Sequence, residues 1–132
     1  MFSQRQLTDI EIVLKSALVD KGVSCVLLID MAGNLIANIS NGKSETDVYS
    51  LAALAAGNYG AVNAIASLVG EEDFSLQFHK GKIMNIHFKS IPNGYLIISL
   101  FQNDLSLGYL RLLVSEVSKE IQFILTPKVS NG

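Results

Sequence analysis

The chain has 132 residues, enough for one globular domain with a single core, and 49% hydrophobic against 17% charged residues excludes a disordered segment. A net charge of −2, with ten scattered basic residues, argues against a nucleic-acid or anionic-membrane partner, which would select a basic stripe. One cysteine, Cys25, excludes an internal disulfide or a cysteine-based zinc cluster.

The opening, MFSQRQLTDIEIVLK, lacks the continuous apolar run of a secretory signal, so the expected location is cytoplasmic. Thr8 with Glu11 reads as a capping box, and Leu7 with Ile12 as a hydrophobic staple. Ile10, Val13, Leu14, Ala17 and Leu18 then recur at helical spacing, and Gly22 is a stop, so a first helix is expected over residues 8–21.

VSCVLLID (23–30) and NLIANIS (34–40) flank the short connector MAG, as the strands of a hairpin do. The first strand is apolar on both faces, which requires a sheet covered on both sides. Asp30 is placed to accept amide bonds from the turn that follows it.

Residues 37–44, ANISNGKS, fit a relaxed phosphate-loop pattern with Ala37 in place of the first Gly. A phosphate loop must wrap successive backbone N–H groups round its ligand. Here Leu35, Ala37 and Ile39 alternate as a strand, so this is read as a strand and a loop with Ser44 as the next N-cap.

LAALAAGNYGAVNAIASLVG (51–70) carries no charge over twenty residues. Its six large aliphatic residues supply only about −2 to −4 kcal/mol of insertion free energy, and neither flank is basic, so a membrane span is not expected. A helix over residues 46–70 puts Leu51, Leu54, Ala55, Val62, Ile65 and Val69 on one core-facing stripe. The opposite stripe carries Ala53, Ala56, Gly57, Gly60, Ala64 and Ser67, where a solvated helix would carry Lys and Glu. That smooth face either lies under another part of the same chain or lets a second helix approach closely. With only three helices, two of them needed on the other sheet face, self-association is the better account, and a two-fold dimer its commonest form.

FSLQFH and KIMNIHFK form a second hairpin turning at Lys80-Gly81, which pairs 79 with 82 and 87 with 74. His79 and His87 then stand at opposite ends of the hairpin and make no metal pair; solvent-facing or hydrogen-bonded histidines are expected. Pro92, Asn93 and Gly94 make a turn, and YLIISLFQ (95–102) reads as a central strand. Asp104 is placed to cap a last helix with Leu110, Val114, Val117, Ile121 and Leu125 inward, ended by Pro127. The order αββαβββα is α+β with an antiparallel sheet and helices on both faces. Cys25, inside an apolar strand, is expected to be inert packing, and no serine sits in a nucleophile elbow. The chain is read as no enzyme, with no catalytic, cofactor-binding or metal-binding residues.

VSCVLLIDMAGNLIANIS, LAALAAGNYGAVNAIASLVGEEDFSLQFHKGKIMNIHFK and NGYLIISLF together resemble the roadblock/dynein light-chain domain, over most of residues 7–126 of a single domain spanning 1–132. The stand-alone length is similar to that of prokaryotic members that partner gliding-type Ras-like GTPases. The resemblance implies a five-stranded antiparallel sheet, with the first and last helices on one face and the long central helix on the other. It further implies a homodimer built on that helix and on the following strand, with Phe74, Leu76 and Phe78 at the interface. A small Ras-like GTPase is the implied partner, with Tyr59, Asn63 and Gln77 as candidate contacts. Arg5 and Arg111 are poorly placed as arginine fingers, so stimulation of GTP hydrolysis is expected to be indirect. The alternative is an assembly adaptor of the dynein light-chain type without effect on hydrolysis. A ligand sensor would need polar residues inside the core, and almost none are seen.

Overall fold

A computed structural model describes residues 2–30, 32–42, 55, 57, 58, 61, 64, 73–80 and 82–126, with the backbone alone at 73–80, 82 and 83. Helix α1 spans Gln4–Ala17. It begins a turn earlier than the Thr8 reading, because Ser3-x-x-Gln6 forms a capping box of its own. The Ser3 hydroxyl accepts from the Gln6 amide at 3.1 Å, and the Gln6 side chain accepts from the Ser3 amide at 2.8 Å. Thr8 lies inside the helix, and the expected staple residue Ile12 is 59% exposed. The α-helix ends at Ala17, short of residue 21, and a 3₁₀ turn over Val19–Lys21 continues to Gly22, whose φ of +115° reverses the chain.

Strands β1 (Cys25–Asp30) and β2 (Leu35–Ser40) form the first hairpin. Asp30 organises their turn, as the sequence suggested. Its carboxylate accepts from the Ala32 and Asn34 amides, each at 2.9 Å, and from the Asn34 side chain at 3.0 Å. Strands β3 (Asp73–Lys80), β4 (Lys82–Ile91) and β5 (Tyr95–Phe101) follow as an antiparallel meander. Asn93 and Gly94, at φ of +75° and +89°, make the β4–β5 turn.

The register of the second hairpin differs from the expected one by a single residue: 79 pairs with 83 and 75 with 87. The observed pairing sets Phe74 against Phe88, Leu76 against Ile86 and Phe78 against Met84. The two-residue-turn register would set 74 against His87 and 76 against Asn85. Matching apolar positions on one face overrides the local turn signal, since a one-residue slip moves a whole strand to the other face.

The sheet order is β2-β1-β5-β4-β3, with every pairing antiparallel. Helix α2 (Leu107–Leu125) returns over it, capped by Ser106 and not by the expected Asp104: the Ser106 hydroxyl accepts from the Tyr109 amide at 3.2 Å. Two cores lie on opposite faces. One joins Ile10 and Leu14 of α1 with Val26, Leu28, Ile97 and Phe101 of the sheet and Leu110, Val114, Val117 and Ile121 of α2. The other joins Cys25, Leu27, Ile29, Ile86, Phe88, Ile98 and Leu100 with Ala55. Ala55, Gly57, Ala61 and Ala64 are helical, but Asn58 between them is a turn residue, so the single helix expected over residues 46–70 is interrupted there; its other residues, and Pro127, lie outside the described residues. Among the described residues no helix is long and apolar enough to cross a membrane.

Partial burial by itself would raise the Asp30 pKa, but the bonds from Asn34, Ala32 and Gly33 outweigh it and hold the carboxyl below its ordinary value. The charged form therefore stabilises the native state at neutral pH, and that contribution is lost as pH falls through the depressed folded-state value. Asp30→Asn should cost about 1 kcal/mol at pH 7 by urea unfolding, with the gap to the native protein closing on acidification.

Candidate functional site

Five positions of this segment are described: Ala55 and Gly57 precede the turn at Asn58, and Ala61 and Ala64 follow it. At about 100° per residue, position 57 lies roughly 200° round the helix axis from position 55. Ala55 is 6% exposed on the sheet, whereas Gly57, Asn58, Ala61 and Ala64 are exposed. The exposed residues described in this segment are thus all small and uncharged. A Cβ added at Gly57 meets nothing within 4 Å, so no neighbouring chain segment requires glycine there.

Strand β3 lies at one end of the sheet order, with β4 as its neighbour. Its outer row of backbone groups is the kind of edge that accepts another strand. The register places positions 74, 76 and 78 on the same sheet face as Ile86 and Phe88, the face that Ala55 covers. Positions 75, 77 and 79 fall on the α1/α2 face. The described dimer candidates are therefore the exposed residues Gly57 and Ala64 and the edge positions Phe74, Leu76 and Phe78, whereas Gln77, expected to contact the partner, falls on the opposite, α1/α2 face. Ala53, Ala56, Tyr59, Gly60, Asn63 and Ser67 lie outside the described residues.

The phosphate-loop pattern has no loop in its first half. Ala37 pairs with Leu28, Asn38 with Leu27, Ile39 with Val26 and Ser40 with Cys25, so these backbone groups belong to the sheet. His87 is 1% exposed beneath the α1/α2 layer, directly opposite Ser99 of β5. Its register partner Ser75 lies four residues from His79 along β3, so the observed register keeps the two histidines apart. Among the described residues no group of three or more His, Cys, Asp or Glu is arranged to hold a metal ion.

Cys25 is fully buried, with its thiol 3.7 Å from the Asn38 side-chain oxygen. Arg5 stands on α1 and Arg111 on α2, the layer opposite to Ala55 and its helix. The side of α2 turned away from the core carries a second stripe. Tyr109, Leu112 and Phe123 are exposed, and the 4-3-4 spacing through residues 112, 116, 119 and 123 is the signal that marks them.

The Roadblock/LC7 domain family model matches residues 9–100. No curated protein sequence matches the chain. Among solved structures, MglB of Myxococcus xanthus is similar at 28% identity and a TM-score of 0.76, with 98% of each chain covered. The gliding protein MglB of Thermus thermophilus shares 24% identity at a TM-score of 0.74, covering 94% of this chain and 93% of that one. An MglB described with a tetrameric arrangement shares 23% identity at a TM-score of 0.75, covering 94% and 92%.

Burial pushes the Cys25 thiol up to about 11 from an ordinary 9.0. A thiol reagent at pH 8 should leave the native protein unlabelled and titrate one thiol after denaturation. Because the folded state retains this proton longer, stability should fall as pH rises from about 9 towards 11, and Cys25→Ala should flatten that decline.

Proposed function

Because the chain belongs to the Roadblock/LC7 domain family, we propose that it is a homodimeric regulator or scaffold of a small Ras-like GTPase. The carrying observation is that the exposed residues described in this segment, Gly57, Asn58, Ala61 and Ala64, are all small and uncharged, while Ala55 is buried on the sheet. A solvated helix face of this composition gives up the charged side chains that water favours, and Gly57 costs about 1 kcal/mol relative to Ala in a helix. Close approach of a second helix compensates for both. Edge strand β3 extends the same interface, and its pairing with a second copy would continue the sheet across the dimer.

Tyr59, Asn63 and Gln77 are assigned to contact with the GTPase, and Ala53, Ala56, Gly60, Ser67, Phe74, Leu76 and Phe78 to the dimer. The position of both arginines on the α1/α2 layer favours an indirect action, in which the regulator positions the GTPase's own groups and supplies no charge to the transferring phosphate. The same observation supports the second reading, an adaptor that binds without changing hydrolysis.

Mixing the purified protein with the Ras-like GTPases of its own genome, and measuring complex formation and GTP turnover, separates these readings. Binding with faster turnover supports the regulator, binding alone supports the adaptor, and no binding to any of them rejects both. Gly57 tests the dimer. Gly57→Leu should keep the fold but weaken association about tenfold or more by analytical ultracentrifugation. An unchanged dimer affinity in Gly57→Leu would show that this face is not the interface.

A further inference from the structure

Helix α2 has two seams. The inner one, Leu110, Val114, Val117 and Ile121, packs on α1 and the sheet. The outer one runs through Tyr109, Leu112, Glu116, Lys119 and Phe123, which follow each other at spacings of 3, 4, 3 and 4. That is the a/d pattern of a helix made to pair with another helix. Leu112 is 61% and Phe123 76% exposed, and Tyr109 is also exposed. Glu116 and Lys119 between them are solvent-facing, with an ion pair of 3.7 Å within the helix. An exposed ion pair of this kind contributes little by itself, and two large apolar side chains at its ends gain nothing from water.

The order of these residues is self-complementary when a second copy runs antiparallel. A two-fold axis midway between residues 117 and 118 sets Leu112 against Phe123 of the second copy, Glu116 against its Lys119, and Tyr109 against its Thr126. Each match occurs twice, because a two-fold interface is isologous. A parallel arrangement would set Glu116 against Glu116 and Lys119 against Lys119, so charge selects the antiparallel one. The neighbouring helix leaves this side open. Gln6 at the start of α1 donates to the Ile124 carbonyl at 3.1 Å near the end of α2, so α1 runs antiparallel beside it, and Ile12 of α1 is likewise exposed.

We propose that the outer face of α2 is a self-association surface, on which a second copy of the chain docks antiparallel about an axis between residues 117 and 118. This surface lies across the sheet from Ala55 and the central helix, and the proposal does not rest on that helix being an interface.

Leu112 and Phe123 lie about 16 Å apart along one helix, beyond the roughly 7 Å that a disulfide spans between Cα atoms. Leu112→Cys and Phe123→Cys variants should therefore cross-link when mixed and oxidised, but not when each is oxidised alone. Charge gives a second test, read as mass against concentration by ultracentrifugation. Glu116→Lys and Lys119→Glu each set like charges across the axis, and each alone should associate about tenfold more weakly than the native chain. Mixing these two variants should restore association, because every cross-axis pair is then opposite in sign. Helical circular dichroism confirms that these exposed substitutions leave the fold intact, and the Gly57→Leu background isolates the α2 step from any association through the central helix. Cross-linking in a single-variant sample equal to that in the mixture would overturn the proposal, as would no gain in association on mixing the charge variants.

Discussion

Strand β1 sits between β2 and β5, and from Cys25 through Ile29 no side chain on either of its faces reaches water. Its backbone groups are satisfied by pairing on both sides, and its side chains demand an apolar cover above and below. One constraint of this kind dictates the layers. Val26 and Leu28 call for α1 and α2, while Cys25, Leu27 and Ile29 call for the central helix that contributes Ala55. Neither helical layer can be removed without opening a strand that has no polar face to show. The thiol of Cys25 is shut away from solvent for the same reason, and that burial raises its pKa.

A sheet covered on both faces leaves its edges and the outer sides of its helices as the places for interaction. These surfaces differ in chemistry. At the described exposed positions Gly57, Ala61 and Ala64 the side chains are small, which permits close backbone approach but holds little apolar area. Helix α2 presents large apolar side chains flanking a charge pair, which gives area and a preferred direction. Edge strand β3 offers main-chain hydrogen bonds, which join strands without reading many side chains. Among the described residues there is no metal cluster, and these surfaces differ only in the kind of protein contact their chemistry suits. The buried pair His87 and Ser99, opposite each other on β4 and β5, belongs to the interior of the α1/α2 layer and not to any of these surfaces.

Much of this architecture was legible residue by residue. The two-sided burial of β1, the Asp30 turn, the inward stripes of both terminal helices and the burial of Ala55 follow from periodicity of two or 3.6, which is local. Helix starts were less legible, because Ser3-x-x-Gln6 and Thr8-x-x-Glu11 satisfy the same capping chemistry within a few residues of each other. The competition went to the box that adds another turn to the helix. Asp104 and Ser106 pose the same ambiguity at α2. The outward residues Tyr109, Leu112 and Phe123 are less legible, because a helix with one good inner stripe is already complete as a core element without a second.

The sequence by itself determined the element types, the apolar faces and the absence of charge along residues 51–70, because these depend on spacing along the chain and on side-chain chemistry alone. Tertiary structure decided what depends on matching across strands and layers. The β3–β4 register is set by which apolar residues meet on the Ala55 face, a criterion that a turn signal does not contain. The placing of β3 at the sheet edge, and of both arginines across the sheet from Ala55, is likewise a property of topology. Local rules fix what each segment can be, and only the assembled sheet fixes which side of it remains free to meet a partner.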